Sequence, residues 1–262
     1  MSSYKIFETH AHYDDEAFDE DRDVLLGSMD ENGIQEVVNV CASVDSLEKT
    51  KALMEKYSFV YGAFGIHPDD AELVTEEVLD KVRECCGLEK AVAVGEIGLD
   101  YYWHKEAREH ELQKKVFRQQ MEIARELHMP FMVHSREAAA DTLDLVKDCV
   151  NRGMYGGIIH CFSYGKEMAR EYLNMGLYLG IGGVVTFNNA RKVKEVVEYA
   201  PLEQIVLETD SPYLSPVPYR GKRNCSLNLP LVAEEIGRIK GISSEEVVRV
   251  TGDNARRLLL RK

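Results

Sequence analysis

The chain of 262 residues is 45% hydrophobic and carries 45 acidic against 32 basic side chains, a net charge of −13. This length can bury one large core, so we expect a single domain over residues 1–262. The negative charge excludes loose adsorption to nucleic acid or to an anionic membrane through a general positive field, so a polyanionic substrate would have to be gripped locally.

Short β-type runs alternate with longer amphipathic stretches along the chain. The predicted strands cover residues 5–7, 36–40, 59–64, 91–94, 130–133, 157–159, 177–181 and 204–207. The predicted helices cover residues 19–31, 46–57, 76–85, 106–128, 136–152, 166–174 and 190–199, then 229–240, 243–250 and 254–260. Eight such units without a Pro/Ser-rich linker predict an α/β fold, a (β/α)8 TIM barrel, which needs about 250 residues.

The cysteines and the apolar runs indicate the cellular compartment in which the protein is expected. The six cysteines show no C-x-x-C spacing, and the N-terminus lacks the basic-then-apolar pattern of a signal peptide. The longest apolar run, residues 176–187, is interrupted by glycines and falls short of the roughly 18 to 20 residues that span a bilayer. These features predict a reduced, cytoplasmic protein with no membrane segment.

Histidines and carboxylates follow the predicted strands where each strand ends. His10 and His12 stand two residues apart at the end of the first strand, so both side chains point to the same side. The ends of strands four, five, six and eight supply Glu96, His134, His160 and Asp210. Because the carboxyl ends of the strands share one mouth of a barrel, we expect these six side chains to converge there.

The composition of this set predicts a metal centre. Four histidines and two carboxylates suit Zn, Mn, Fe or Co better than Ca, and six ligands exceed the needs of one tetrahedral ion. We therefore expect two divalent ions, with Glu96 as the bridging carboxylate because its strand lies across the barrel from the first. Unrelated buried histidines are the alternative interpretation.

Seven short motifs in register make the chain resemble the TatD family of metal-dependent hydrolases, a branch of the amidohydrolase-like barrels. They are THAH at 9–12, GIHP at 65–68, GEIGLDY at 95–101, HSR at 134–136, HCFS at 160–163, ETDSP at 208–212 and RGKRN at 220–224. The resemblance implies two ligand sets: His10, His12, Glu96 and Asp210 for one metal, and Glu96, His134 and His160 for the other.

The resemblance also implies an activity and a substrate class. The family is associated with divalent-metal-dependent nucleases, often using Mg, that remove nucleotides from the 3′ ends of single-stranded DNA. Some members are described as D-aminoacyl-tRNA deacylases, which keeps ester hydrolysis on the same metal centre as the alternative. Nucleic acid is therefore the expected partner, with no obligate protein partner, and the ions are expected to be Zn, Mn or Mg. A non-enzymatic binding protein with a vestigial site is the third hypothesis.

The chain departs from the family pattern at a few positions. Glu8 stands where the family often has Asp, and whether it supports a ligand is left open. Cys225 and Ser226 replace the usual Glu-Pro, and Tyr164 separates Ser163 from glycine. These changes lie in segments that would touch substrate, so they bear on substrate identity more than on metal binding.

The expected mechanism is attack by a water molecule that the metals activate, with Asp210 receiving its proton. Arg136, Lys222 and Arg223 are candidates for phosphate binding, since guanidinium pairs bidentately with phosphate, and solvated surface is their alternative role. His67 is expected to contact substrate or a ligand.

The aromatic run at 101–103 follows the fourth strand. Its three side chains could stack an unpaired base or simply pack at the rim of the barrel.

Overall fold

The structure, a computed structural model, describes residues 5–260. Eight parallel strands pair in chain order. They are β1 (Ile6–Ala11), β2 (Ile34–Val40), β3 (Val60–Phe64), β4 (Ala91–Asp100), β5 (Phe131–Arg136), β6 (Gly157–Ile159), β7 (Tyr178–Ile181) and β8 (Ile205–Leu207). The backbone N–H of Asp210 donates to His10 and that of His12 donates to Ser211, which joins β1 to the segment after β8. The predicted (β/α)8 barrel is confirmed.

Helices alternate with the strands. They are α1 (Arg22–Gly27), α2 (Ser46–Lys56), α3 (Glu76–Cys86), α4 (Ala107–Glu126), α5 (Ala139–Asn151), α6 (Lys166–Asn174), α7 (Arg191–Tyr199), α8 (Leu229–Lys240) and α9 (Ser244–Leu259). In α7, Val193, Val196 and Val197 form the buried stripe that the helical period places on one face. Within residues 5–260, none of the helices combines the length and the apolar character that crossing a bilayer would require.

A cluster of apolar side chains fills the barrel beneath its polar mouth. Its members are Phe7, Val38, Val40, Ala63, Val92, Ala93, Met132, Ile158, Val206, Ala255, Leu258 and Leu259. Met132 and Ile158 precede His134 and His160 by two residues and so lie on the same face of their strands. Since the cluster also contains side chains of α9, this helix closes the amino-terminal end of the barrel and leaves the histidines at the opposite mouth.

Strands β1 and β5 run three to four residues further than predicted, and α5 begins three residues later. Three other differences are larger. The expected helix over 19–31 is shortened to α1, followed by a 3-10 turn at Asp30–Asn32, and Gly33 ends the segment in the left-handed region, with φ of 82°. The expected pair 243–250 and 254–260 is one helix, α9. Gly252 lies inside α9, where its low helix propensity is outweighed by burial of the helix against β1 and β8.

The third difference is β4, which runs on to Asp100 instead of ending at residue 94. Gly98 makes this possible because it has φ of 149°, and a Cβ there would lie 2.0 Å from the carbonyl oxygen of His134. The missing side chain lets β4 and β5 approach closely, with Gly98 in register with His134.

Replacing Gly98 with alanine is expected to lower the free energy of unfolding by on the order of 3 kcal/mol, because both the backbone conformation and the clash exclude a Cβ. Urea unfolding followed by circular dichroism measures it. Gly27→Ala is the matched control, since nothing lies within 4 Å of that Cβ, and it should change stability by less than about 1 kcal/mol. Equal effects of the two substitutions would contradict the close approach.

Candidate metal centre

The carboxylate of Glu96 lies at the centre of the barrel mouth and is 3% exposed. Its Oε2 is 3.3 Å from Nε2 of His10 and 3.7 Å from Nε2 of His12. Its Oε1 is 2.8 Å from Nδ1 of His134 and 3.0 Å from Nε2 of His160. Each oxygen therefore faces its own pair of imidazoles, the arrangement required of a carboxylate that bridges two cations.

Asp210 reaches the same point from the segment after β8. Its Oδ1 lies 3.4 Å from Nε2 of His12 and 3.9 Å from Nε2 of His10. Its backbone has φ of 58°, which turns the side chain inward while the N–H stays bonded to β1. The structure thus brings together all six side chains that the strand ends indicated.

These side chains fit a metal. Both ring nitrogens of His10 are buried and have no hydrogen-bond partner among residues 5–260, although such a group ordinarily costs about 1 to 3 kcal/mol. Donor atoms converge within 4.8 Å of one another in three groups: His10, His12 and Glu96; His10, His160 and Asp210; and His67, Glu96 and His134. A divalent cation that accepts nitrogen and oxygen donors would satisfy the unpaired atoms.

The ligand candidates are oriented by partners behind them. Nδ1 of His12 is 2.8 Å from the carbonyl oxygen of Val40, which can only accept, so Nδ1 carries the proton and Nε2 is free to bind. Nε2 of His134 lies 3.2 Å from Oδ2 of Asp100, which leaves Nδ1 facing Glu96. Such partners fix the tautomer and the ring direction of a metal ligand.

Asp100 was not identified from the sequence as a site residue, although it stands in the GEIGLDY motif. Burial raises the pKa of its carboxyl, but hydrogen bonds from His134 and from the backbone N–H groups of Trp103 and Tyr102 outweigh burial and set it at about 2. The ionised carboxylate therefore holds the proton of His134 on Nε2. Its role depends on β4 extending to Asp100, which the sequence pattern did not predict.

Glu208 supports His160 in a similar way. Its Oε1 lies 3.3 Å from Nδ1 of His160 and accepts a hydrogen bond of 2.6 Å from the backbone N–H of Cys161. The side chain is fully buried, and a Cβ on Gly180 would come within 2.1 Å of its Oε2. Glycine on β7 thus creates the space for this carboxylate.

Glu8 contacts no ligand ring. Its carboxylate accepts hydrogen bonds from the backbone N–H groups of His10 and Thr209 and from the hydroxyls of Thr209 and Ser226. Burial raises the pKa of this carboxyl to about 8, against the lowering effect of those bonds. Glu8 therefore ties β1 to the segment that carries Asp210, and two of the departures from the family pattern, Glu8 and Ser226, contact each other.

A cavity of about 720 Å³ opens in front of the candidate ligands. His67 and Arg136 line it, and Nε2 of His67 is 3.9 Å from Oε1 of Glu96. Arg223 instead pairs with Asp21 through two hydrogen bonds of 2.7 and 2.6 Å, and Lys222 lies 5.8 Å from the ring centre of Tyr219. Neither is among the described residues that line the cavity, so their predicted substrate contacts stay predictions.

Comparisons with known proteins find relatives that match nearly the whole chain. The family model described as TatD related DNase matches residues 7–260. The uncharacterized metal-dependent hydrolase YabD of Bacillus subtilis is 40% identical over 253 residues, covering 97% of this chain and 98% of YabD. The 3′-5′ ssDNA/RNA exonuclease TatD of Cronobacter sakazakii is 30% identical over 249 residues, covering 93% and 94%. The crystal structure of YjjV, a TatD homolog from Escherichia coli, superposes with a TM-score of 0.91 at 25% identity, covering 98% and 99%.

Metal uptake is expected to depend on pH. Burial lowers the pKa of His12 and of His134, but Asp210 and Glu96 around His12, and Asp100 and Glu96 around His134, outweigh it and set both at about 9. A cation must displace these protons below about pH 9, so its affinity should rise about tenfold per pH unit for each proton released. Calorimetric titration of the metal-free protein with Mn²⁺ in buffers of different ionisation heat counts the protons. Affinity independent of pH would contradict the protonated ligand set.

Replacing Asp100 with asparagine is expected to weaken metal binding about 10- to 100-fold. If Oδ1 keeps its backbone bonds, the amide NH₂ faces Nε2 of His134 and drives the ring proton onto Nδ1, the atom that faces Glu96. Competition with a chromophoric chelator measures the affinity. Asp148→Asn, on the surface beside Arg152, is the control and should leave it unchanged.

Proposed function

The chain belongs to the TatD-related DNase family of metal-dependent hydrolases, and on that premise we propose that it is a phosphodiesterase that removes nucleotides from the 3′ ends of single-stranded DNA. The observation that carries the proposal is the placement of Glu96, whose two oxygens face separate pairs of histidines, as a two-cation site for phosphoryl chemistry requires. The name of the exonuclease from Cronobacter sakazakii supports the substrate class.

The centre would hold two divalent cations, Zn, Mn or Mg. The proposed ligands are His10, His12, Glu96 and Asp210 for one cation, and Glu96, His134 and His160 for the other. Cations held there lower the pKa of water and withdraw charge from a phosphoryl oxygen. All six proposed ligands come from one chain, so the centre requires no obligate protein partner.

Asp210 is the proposed proton acceptor. Burial raises the pKa of its carboxyl, but the hydrogen bond with His12 and the charges of His160 and His10 outweigh burial, so the net shift is downward. The group is ionised at neutral pH, and its side chain is 18% exposed toward the cavity. It can therefore receive a proton from an attacking water that enters from the cavity.

Arg136 and His67 are the proposed substrate contacts. Arg136 lines the cavity, and its guanidinium forms no ion pair with a carboxylate within residues 5–260, so its donors are available to a phosphate. His67 faces the same space beside Glu96 and can donate to a phosphoryl oxygen.

Ester hydrolysis, as by a D-aminoacyl-tRNA deacylase, is the second candidate function. The observation that favours it is the scarcity of positive charge: among the described residues, Arg136 is the only arginine or lysine that lines the cavity. The reacting acyl group of an aminoacyl ester is neutral, whereas a scissile phosphodiester is anionic, so one cationic side chain near the reacting atoms would suffice for the ester.

We infer a reducing compartment, the cytoplasm, as the place of action. All six cysteines, which lie within the described residues, are free.

Burial raises the pKa of the Cys161 thiol in the cavity wall to about 12, which leaves it protonated and makes it a poor nucleophile.

Chelation is expected to abolish release of nucleotides from a 5′-labelled single-stranded oligonucleotide, and added Mn²⁺ or Mg²⁺ should restore it. Asp210→Asn should lower kcat about 10²- to 10⁴-fold, because the amide cannot accept a proton. Asp80→Asn, on the surface beside Arg83, is the matched control and should keep full activity. Gel electrophoresis of the products also gives the polarity of digestion.

The competing outcomes separate the two functions. Cleavage of D-aminoacyl-tRNA or a lactone, without nucleotide release from any oligonucleotide at saturating metal, would select the ester hydrolase. Nucleotide release that persists after complete removal of metal would reject both.

A further inference from the structure

An exposed aromatic pair, Tyr102 and Trp103, follows the end of β4, and Trp103 lines the cavity. Trp103, the single tryptophan of the chain, is 65% exposed, and Tyr102 is 38% exposed. Their rings are nearly perpendicular, with centroids 4.7 Å apart. The guanidinium of Arg136 lies 3.9 Å from the ring centre of Tyr102 and 5.6 Å from that of Trp103. Water therefore covers most of a large indole that adjoins a cation without a carboxylate partner in the described chain.

The pair is fixed relative to the metal centre by one carboxylate. Oδ1 of Asp100 accepts hydrogen bonds from the backbone N–H groups of Tyr102 and Trp103, at 2.8 and 3.1 Å. Oδ2 of the same residue lies 3.2 Å from the ring nitrogen of His134. Because Asp100, His134, Arg136 and Trp103 all line one cavity, the indole is held at a set position from the reacting atoms.

We propose that Trp103 is a stacking subsite for the nucleobase next to the scissile phosphate, with Arg136, supported by Tyr102, contacting the phosphate of that nucleotide. The subsite rests on the proposed nuclease function and adds the reason for a single-stranded substrate. A base has a π-face and its nucleotide an anionic group, which match an exposed indole beside a guanidinium. A paired base must break its pair and leave its stack to reach the indole, and this costs free energy that an unpaired end does not require.

The single tryptophan makes base stacking directly observable. Fluorescence of the metal-loaded protein should be quenched, to saturation, by a single-stranded oligonucleotide whose terminal linkages are phosphorothioates that resist cleavage. A strand of equal length with abasic sugars at its 3′ end keeps the phosphates and lacks the bases, so it should quench far less.

Kinetics with matched variants test the same subsite. Trp103→Leu is expected to raise KM for single-stranded DNA about tenfold with kcat within about twofold, because stacking on an aromatic side chain is lost. Trp103→Phe should recover most of the affinity, and neither variant should change KM for the abasic strand. Tyr199→Leu removes an aromatic side chain that is 47% exposed at the end of α7 and does not line the cavity, so it is the control.

The results distinguish this proposal from the proposed function. Equal quenching by the two strands, together with a KM for Trp103→Leu within twofold of the wild type, would overturn the subsite even if the enzyme degrades DNA. Base-dependent quenching, without nucleotide release from an unmodified single strand at saturating metal, would support the subsite and reject the nuclease function. A Trp103→Leu protein that has lost its native circular dichroism leaves the fluorescence comparison on the wild-type protein to decide.

Discussion

The carboxylate of Glu96, placed between two pairs of imidazoles in a mouth that excludes most water, is the interaction on which the site depends. Buried carboxylates repel one another, and Asp210 and Asp100 lie close by, so this mouth needs positive charge to be stable. Protons on His12, His134 and His160 supply it: burial lowers the pKa of His160, but Glu96 and Glu208 outweigh burial and hold it well above its usual value. Bound cations would replace those protons. Val40, Asp100 and Glu208 contact the outer nitrogens of His12, His134 and His160, and so keep the orientation of the three rings unchanged.

The fold and the meeting of six side chains were predictable from the sequence because both follow from short periodicities. Alternation of strand and helix predicts the barrel, and residues at the carboxyl ends of its strands all lie at the same mouth. Asp100 and Glu208, which orient the candidate ligands, could not be predicted from the sequence, because their positions depend on contacts between neighbouring strands. Asp100 reaches His134 because Gly98 allows β4 to continue beside β5. Glu208 fits because Gly180 on the neighbouring strand lacks a side chain. Similarly, the basic run at 220–224 could not reveal that Asp21, about 200 residues earlier, engages Arg223.

The departures from the family pattern contact residues beside the centre. Glu8 and Ser226 are hydrogen-bonded to each other, and the hydroxyl of Tyr164 lies 2.9 Å from that of Ser135, the residue after His134. Cys225 lies next to Ser226 and is half-buried. None of these four departures is among the described residues that line the cavity, so such changes act on the supports behind the candidate ligands and leave the ligands themselves in place.

The hydrogen bonds between β1 and the segment after β8 join the first and the last strand of the barrel, so the site is completed late in synthesis. Glu8 accepts a hydrogen bond from the backbone N–H of Thr209, 201 positions later in the sequence. The backbone N–H of Asp210 donates to the carbonyl oxygen of His10. A ribosome-bound chain that has emerged only as far as His160 already possesses five of the six proposed ligands, yet it lacks Asp210 and the segment that joins β1 to the end of β8. The complete set of proposed ligands is therefore present only once the final fifth of the polypeptide has been made.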